Sequence, residues 1–403
     1  MRVRHLAAAL AIALTSALPA RAEPDFGPPP ASGAFLLKLA VTHLTVERDT
    51  PPTLSNLDPI PEDLALAGSR LALTDNRTTG RFLGHGYALT ETFVPLGEDP
   101  LAAARAALAE SPYLILDTDA ATLTAIADLP EAKGALLFNA TAADTELRSA
   151  GCRPNLFHTL PDHAMRADAL MQFVTSRRWT RLALIRGANP EDQAFAAALT
   201  ASTRKFGLKP PATNDWLTDA DIRRNATQEV PLFTQSLPEH DLLLIADEAH
   251  DFGRYIAYNT WAPRPVAGSE GLVPTAWAPV VEQWGAAQLQ SRFSEATNRQ
   301  MRAEDWSAWA AFRALSEAMT RTNATDPATL RQFLLSDDFE LAAFKGAPLS
   351  FRNWNGQLRQ PIPLVTPRAV VAQAPLEGFL HQRNELDSLG EDAPETKCKA
   401  FRE

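Results

Sequence analysis

Short apolar runs alternate with amphipathic stretches along most of the chain. Runs of about four to eight apolar residues predict buried strands, and apolar positions three and four residues apart predict helices. Strands are predicted at residues 34–44, 113–118, 135–141, 181–187 and 241–248, and near Trp216. Helices are predicted at residues 99–111, 120–130, 162–179 and 190–207. This alternation is typical of parallel sheets covered on both faces. It predicts an α/β fold with two doubly wound parallel-sheet lobes joined by a hinge.

The alternation stops in the last third of the chain. Three helices are predicted there, at residues 282–293, 303–322 and 326–337, and strand-like alternation returns at 348–373. The predicted organisation is a signal peptide at 1–22, a proline-rich lead-in at 23–33, two lobes and an irregular tail at 376–403. Lobe 1 comprises residues 34–154 and 280–335, and lobe 2 comprises residues 155–279 and 336–375.

Two helix boundaries are marked by individual residues. Asp99 is placed as an N-cap, with Pro100 at the first helical position, where its missing N–H is tolerated. Residues 71–89 carry three glycines, which raises the question of a phosphate-binding loop. Such a loop follows a strand and precedes a helix, whereas here an apolar helix comes first and a strand follows. We therefore interpret the glycines as a helix end, with Asn76 and Gly80 closing the helix.

The N-terminus has the pattern of a secretory signal peptide. Arg2 and Arg4 precede an apolar run at residues 6–14, and Ala20-Arg21-Ala22 supplies an A-x-A cleavage site. The run is too short to cross a bilayer as a helix. A retained membrane anchor is the alternative, against which the cleavage site argues. We expect cleavage after Ala22 and export.

The charge balance is acidic. Without the three arginines of residues 1–22, the formal net charge of −10 becomes −13. A nucleic-acid partner is not expected, because neutralising phosphates requires a basic face. The chain has 403 residues. A single hydrophobic core rarely organises so many residues, which favours two domains.

Cys152 and Cys398 are the two cysteines of the chain. An exported protein meets oxidising conditions, where such a pair can form a disulfide. The bond would tie the C-terminal tail to the region around Cys152. The alternative is two unrelated thiols, because the sequence does not show whether their Cα atoms come within bridging distance.

Ligands of open α/β sheets bind beyond the carboxyl ends of the strands. In the first half of the chain these positions are small or polar and comprise Asp117, Thr118, Asp119, Asn139, Ala140 and Thr141. Residues 187–193 and 247–251 occupy the same position in the second half. These residue types suit a hydrogen-bonding cleft. Ordinary helix capping is the alternative, since Asp, Thr and Asn are also preferred N-caps.

Patterns for catalysis or metal binding are weak. The run DEAHD at 247–251 has hard metal ligands but no second cluster to complete a site. Ser269 lies one residue away from a nucleophile-elbow pattern, and prolines flank it where a strand and a helix are needed. HExxH, Walker A and paired CxxC motifs are missing from the sequence. We expect no enzymatic activity, no metal and no cofactor.

The tryptophans fall in two groups. Trp306 and Trp309 lie at helical spacing in residues 303–322 and predict a packing face. Trp261 and Trp277 lie in the stretch that joins the second lobe to the late helices. They either line a cleft with aromatic surface or pack the hinge.

The order of elements resembles the type I periplasmic binding proteins, the leucine-binding-protein-like components of ABC transporters. Residues 67–89 look like that family's first helix and glycine turn, 155–174 like its first crossover, and 344–362 like its closing G-x-x-x-F segment. His158 stands where the family often has Arg. Three unusual stretches are similar to a subfamily associated with pyrroloquinoline quinone (PQQ)-dependent alcohol dehydrogenase systems: residues 258–277, 282–293 and 378–398.

The resemblance implies a periplasmic solute-binding component that holds a small polar solute between two lobes and delivers it to an ABC permease. Residues 117–119 and 139–141 match the loops that hold an amino-acid carboxylate, and Asp251 matches an acid that faces the ammonium. Trp261 is a further predicted contact. Asp117 and Asp119 would repel a carboxylate, and no Tyr follows the strand at 181–187, which argues against an ordinary aliphatic amino acid.

The same resemblance leaves a second function open. A periplasmic sensor or accessory module of a PQQ-dependent alcohol dehydrogenase system could use the same cleft. Its partner would be the dehydrogenase instead of a permease, so co-purification separates the two functions.

Overall fold

The computed structural model describes residues 24–31, 33–49, 59–217 and 222–401. The predicted signal peptide and the cleavage site after Ala22 lie outside these described residues. The first part of the chain runs in the order β1 (Leu37–Val46), α1 (Leu66–Leu83), β2 (His85–Val94), α2 (Pro100–Leu108), β3 (Tyr113–Asp117), α3 (Ala120–Ala127), β4 (Leu136–Asn139) and β5 (Leu156–His158).

The middle of the chain continues the alternation. Its elements are α4 (His163–Ser176), β6 (Leu182–Arg186), α5 (Pro190–Lys205), β7 (Ala212–Asp215), α6 (Ile222–Gln235), β8 (Leu242–Ala246), α7 (Gly253–Ile256) and β9 (Val266–Gly268). Helix α6 was not predicted from the pattern. It holds Pro231 in its interior, a residue that usually marks a helix end.

The last part contains three helices and several short strands. They are β10 (Val273–Pro274), α8 (Ala286–Thr297), α9 (Ala303–Thr322), α10 (Pro327–Leu334), β11 (Ser350–Phe351), β12 (Leu358–Arg359), β13 (Ile362–Thr366) and β14 (Ala369–Ala374). The three predicted late helices are therefore confirmed. Strands β10, β13 and β14 form an antiparallel sheet, and β11 pairs with β12. In the part of the chain that is described, no helix is long and apolar enough to span a membrane.

Five strands form the first parallel sheet, in the order β2-β1-β3-β4-β5. One face packs against α1, α8, α9 and α10, in a core that includes the fully buried Trp306 and Phe312. The other face packs against α2 and α3. Trp309 is also buried in the first core, so the predicted packing face of residues 303–322 is confirmed.

Four strands form the second parallel sheet, in the order β7-β6-β8-β9. Helices α4 and α5 cover one face, and α6 and α7 cover the other. Strands such as β8, with all five residues buried, read as continuous apolar runs because both faces are covered. The two parallel sheets confirm the predicted fold class.

The carboxyl edges of the two sheets lie close together, because the start of α4 contacts the loop after β4 through Ala143 and Thr145. The chain leaves β5 at the carboxyl edge of the first sheet and enters α4 within five residues. Strand β6 follows α4 and runs towards the carboxyl edge of the second sheet. Helix α4 runs in the opposite direction, so its first residues lie at that edge. Since β5 belongs to the first sheet, the proposed lobe boundary moves from residue 155 to beyond His158. The division into lobes otherwise remains a proposal.

Helix ends follow local chemistry. Asp99 caps α2 through the N–H of Leu101 at 2.9 Å, with Pro100 at the first position, as predicted. The prediction that Asn76 and Gly80 end α1 is wrong: the helix continues to Leu83 and ends at Gly84, which has a left-handed φ of 74°. Gly80 is required inside the helix because a Cβ there would lie 2.5 Å from the carbonyl oxygen of His85.

A close contact between α1 and α9 leads to a stability prediction. A Cβ added to Gly68 would lie 1.8 Å from the carbonyl oxygen of Asp305. We expect Gly68→Ala to lower the free energy of unfolding by about 1–3 kcal/mol, because the two helices must move apart. Urea denaturation measures the change. Thr79→Ala, on the exposed side of α1, is the control, and equal stability of the two variants would contradict the contact.

The C-terminal tail is irregular apart from a short 3₁₀ helix at Glu385–Ser388. The Sγ atoms of Cys152 and Cys398 are 2.01 Å apart, and their Cα atoms are 5.6 Å apart. Asp387 lies in an ion-pair network with two arginines, Arg352 at 3.0 Å and Arg359 at 2.8 Å. The structure therefore joins the two cysteines and anchors the tail at Asp387 and Cys398.

Candidate functional site

Asp117 ends β3 at the carboxyl edge of the first sheet. Its side chain is almost fully buried and pairs with Arg48, whose Nη2 lies 2.9 Å from Oδ1. Burial raises the pKa of Asp117, and the charge of Arg48 opposes the rise. Arg48 follows β1, a position that the strand-end rule could have identified. It was missed because residues 45–63 read as a proline-rich stretch without regular structure.

The loop after β4 satisfies its own polar groups. Asn139 Oδ1 accepts hydrogen bonds from the N–H groups of Thr141 at 3.2 Å and Ala142 at 2.9 Å. Its Nδ2 donates to the carbonyl oxygen of Ala142 at 2.8 Å. Asn139, Ala140 and Thr118 are fully buried, whereas Thr141 is half-buried. Thr141 is thus better placed than the other three to meet a solute.

Three helix N-termini at this edge are capped by two aspartates. Asp119 accepts from the N–H groups of Ala121 at 2.9 Å and Thr122 at 3.0 Å at the start of α3. Asp305 serves both α1 and α9, accepting from the N–H groups of Ala65 and Arg302 at 2.9 Å each. The alternative interpretation of Asp119 as a helix cap therefore has direct geometric support.

The carboxyl edge of the second sheet is built in the same way. Asp247, directly after β8, accepts from the N–H groups of Asp251 at 2.9 Å and Gly253 at 2.6 Å. Asp192, near the start of α5, accepts from the N–H groups of Glu248 at 2.5 Å and Ala249 at 3.2 Å. Burial raises the pKa of both aspartates, against the effect of these backbone hydrogen bonds. They fix the shape of the loop that carries Asp251.

Glu248 is held by a two-fold ion pair with Arg166 of α4. The distances are 2.5 Å for Nη1 to Oε2 and 3.0 Å for Nη2 to Oε1. Burial alone would raise the pKa of Glu248, but Arg166 more than compensates, and the pKa falls to about 2. Arg166 also donates to the carbonyl oxygen of Pro274 at 3.1 Å and lies over the ring of Phe195.

In the DEAHD run at 247–251, Asp247 and Glu248 make structural contacts. Asp247 binds backbone amides, Glu248 binds Arg166, and Ser269 Oγ donates to Glu248 Oε1 at 2.7 Å. Across the described ranges, His, Cys, Asp and Glu side chains form no group of three or more that could hold a metal ion. Ser269 therefore has a structural role, because its hydroxyl holds the side chain of Glu248.

Two further half-buried acidic residues lie near the ends of the two sheets. Asp251 lies in the loop after β8, and Glu304 lies in the first turn of α9; both side chains are half-buried. Burial raises the pKa of Glu304 and the charge of Asp305 adds to the rise, whereas a backbone hydrogen bond and the charges of Arg302 and His250 oppose it. His250 is in the same loop as Asp251 and acts on Asp247 in the same sense. The loop therefore faces the N-terminus of α9.

Trp261 lies away from the other predicted site residues. Its backbone N–H donates to Thr234 Oγ1 at 2.9 Å, near the C-terminal end of α6. Because α6 starts near the carboxyl edge of the sheet and runs away from it, this contact places Trp261 at the opposite edge. Trp277 is buried and stacks on Trp306 with ring centroids 6.4 Å apart. Trp261 is therefore not at the carboxyl edge, and Trp277 packs in the core of the first sheet.

Arg148 is a residue of the hinge that sequence reasoning missed. Its fully buried guanidinium donates to the carbonyl oxygens of Ala142 at 2.9 Å and Leu160 at 3.0 Å, and to Gln357 Oε1 at 2.9 Å. These contacts connect the loop after β4 with the first crossover and with the later crossing of the chain near β12. A single arginine in a short loop gives no sequence signal for partners so distant.

Comparison with known proteins bears on this geometry. The family model described as "Periplasmic binding protein" matches residues 98–222. A periplasmic binding protein from Burkholderia mallei is 14% identical, with a TM-score of 0.66 over 91% of this chain and 99% of that chain. The chain has the type I periplasmic binding protein fold. A search of curated proteins finds no match.

Two further structures share this fold with the chain. One is a branched-chain amino acid ABC transporter periplasmic ligand-binding protein from Burkholderia xenovorans, which is 14% identical with a TM-score of 0.67. The match covers 90% of this chain and 100% of that chain. The other is an ABC transporter solute-binding protein from R. palustris in complex with benzoate, at 13% identity and a TM-score of 0.60, covering 90% and 99%.

Proposed function

We propose that the protein is the periplasmic solute-binding component of an ABC transporter and holds a small polar solute in the cleft between its two sheets. The proposal is supported by the polar loops that follow the strands of both sheets, at carboxyl edges that the crossover from β5 to α4 brings close together. Thr141 and the Asp117–Arg48 pair contribute from the first sheet, and Asp251 contributes from the second. The solved structures of similar fold are described as transporter binding proteins, which supports the same function.

The proposed mechanism is hinge closure around the solute. A solute that contacts both edges stabilises the closed arrangement over the open one by the difference of its affinity for the two. The crossovers next to Arg148 and Arg166 are the segments that would bend. No chemical step is required, because the solute is bound and released unchanged to a permease.

We further propose a link to PQQ-dependent alcohol oxidation. Its support is the similarity of residues 258–277, 282–293 and 378–398 to the subfamily associated with those systems. The alternative function, a sensor or accessory module of the dehydrogenase system, has the same support. Co-purification with a permease favours transport, and co-purification with a PQQ-dependent dehydrogenase favours the accessory function.

A thermal-shift screen of the protein without residues 1–22 tests solute binding. We expect at least one compound among amines, alcohols, aldehydes, acids and quinone cofactors to raise the melting temperature, and Thr141→Trp to abolish the shift by filling the cleft. Thr79→Trp, on the exposed side of α1, is the matched control and should respond as the wild type does. A screen without any response, or an unchanged response of Thr141→Trp, would contradict the proposal.

A further inference from the structure

The C-terminal tail, residues 376–401, begins against the helices of the second sheet. The N–H of Leu376 donates to Gln172 Oε1 at 2.8 Å, and Gln172 Nε2 donates to Ser388 Oγ at 3.2 Å. Gln172 belongs to α4 and is fully buried. This part of the tail is therefore fixed to the unit of the second sheet.

An ion pair between α4 and α5 binds the tail again at Gly390. Asp168 of α4 accepts from the N–H of Gly390 at 2.9 Å and from Lys205 Nζ at 2.7 Å. Lys205, the last residue of α5, also donates to the carbonyl oxygen of Gly390 at 2.7 Å. Both backbone polar groups of one tail residue are thus bound by a single ion pair of the second-sheet unit.

The end of the tail is fixed to the unit of the first sheet. The disulfide joins Cys398 to Cys152, in the segment between β4 and β5. The ring of Phe401 lies edge-on to the ring of Phe157 in β5, with ring centroids 6.3 Å apart. Arg331 of α10 lies over the ring of Phe401. All of these partners belong to the first sheet or to a segment that packs on it.

The tail is a fourth connection between the two sheets. Within the described ranges, the chain passes between their cores at three earlier places, from β5 to α4, from β10 to α8 and from β12 to β13. Between its two fastening points, Gly390 and Cys398, the tail is folded back, with the N–H of Lys397 donating to Glu391 Oε1 at 2.6 Å. Fully extended, this segment spans about 27 Å. The disulfide therefore limits how far Gly390 and Cys398 can move apart.

The disulfide lies further from the crossovers than the ion pairs of Asp387 do. Asp387 pairs with Arg352 and Arg359, beside the crossover from β12 to β13. Cys152 precedes β5 and lies at the amino edge of the first sheet, whereas the crossover to α4 leaves from the carboxyl edge. A restraint far from the axis of a hinge limits the angle of rotation more than a restraint close to the axis.

We propose that the tail is a strap that limits how far the two sheets open. The disulfide fastens it to the first sheet, and the pair of Asp168 and Lys205 fastens it to the second. The proposal rests on the hinge motion of the proposed function and adds a restraint on that motion. Restricting the open arrangements lowers the conformational entropy that is lost on closure, which favours capture of a solute.

Distances between the two sheets in the solute-free protein test the strap. Nitroxide labels on p-acetylphenylalanine leave the cysteines untouched, and three exposed positions suit them: Thr79 in α1, Ala106 in α2 and Gln228 in α6. Double electron–electron resonance then gives two distances between the sheets, from Gln228 to each of the others. The distance between Thr79 and Ala106 lies within the first-sheet unit and is the internal control.

Releasing the first fastening is expected to widen the motion. In the double variant Cys152→Ser, Cys398→Ser, both distances between the sheets should broaden, with their means shifting by more than about 2 Å. The control distance should stay as it is in the wild type. An equal change of the control distance would show that the substitutions loosen the first sheet itself, and it would overturn the strap.

Releasing the second fastening should give the same result, because the two act in series. Lys205→Met removes both contacts of the ammonium group and keeps the disulfide, so this arm does not depend on the folding of the cysteine variant. The triple variant should broaden the distances no further. Arg204→Met, at the neighbouring exposed residue of α5, is the matched control and should behave as the wild type does.

The outcomes separate the strap from the proposed function. Unchanged distances between the sheets in both variants would overturn the strap, and so would additive broadening in the triple variant, which would indicate two independent packing effects. Solute binding in the thermal-shift screen together with unchanged distances would leave the proposed function intact. Equal, non-additive broadening supports the strap, even if no solute in the screen binds.

Discussion

Replacing Arg148 with methionine is expected to lower the free energy of unfolding by about 3–5 kcal/mol. The buried guanidinium donates to the carbonyl oxygens of Ala142, Asp144 and Leu160, and to Gln357. Methionine keeps the aliphatic part of the side chain but removes all four hydrogen bonds, and a hydrogen bond to a charged group contributes about 1.5–3 kcal/mol. The three carbonyl oxygens keep other donors, whereas the buried Oε1 of Gln357 is left without one. The effect should appear in denaturant unfolding followed by circular dichroism.

The matched control is an arginine on the surface. Arg70 forms a two-fold ion pair with Glu91, and both side chains are well exposed. Arg70→Met should lower the free energy of unfolding by about 1 kcal/mol or less, because exposed pairs contribute little. If Arg148→Met is no more destabilising than Arg70→Met, Arg148 does not hold the crossovers together.

Removing the disulfide is expected to have an effect of similar size. The bond between Cys152 and Cys398 closes a loop across 246 residues. In the chain-entropy account, removing a cross-link that closes so long a loop lowers the free energy of unfolding by about 3–5 kcal/mol. We expect the double variant Cys152→Ala, Cys398→Ala to unfold at correspondingly lower denaturant, and wild type in reductant to follow it.

The thiol state provides the control for this prediction. Wild-type protein, denatured without reductant, should show no reactive thiol, and two after reduction. Two reactive thiols before reduction would contradict the bond. A double variant as stable as the oxidised wild type would show that the tail is held by its other contacts, such as Asp387 with Arg352.

Local patterns were sufficient for most of the fold. Buried strands such as β3 and β8 are continuous apolar runs, and Asp99 before Pro100 marks the start of α2, because these signals act over a few residues. The end of α1 was misplaced because Gly80 serves close packing against the next strand, a tertiary requirement, whereas Gly84 adopts the left-handed cap.

The candidate site was harder to predict than the fold. Strand-end positions led to Asp117, Thr141 and Asp251, which lie at the carboxyl edges as expected. Composition could not show that Trp261 lies at the opposite edge, or that Arg148 reaches Gln357, which is 209 residues away along the chain. Such partners are fixed by the packing of distant segments, for which a single sequence carries no periodic signal.

Native mass spectrometry of the protein purified from its own periplasm tests the central claim most directly. The account predicts that part of the wild-type population carries one small molecule that is lost on denaturation. Thr141→Trp, purified in the same way, should carry none. The account would be contradicted if the wild type never carries a small molecule, even after incubation with the periplasmic extract, or if Thr141→Trp carries the same molecule to the same extent.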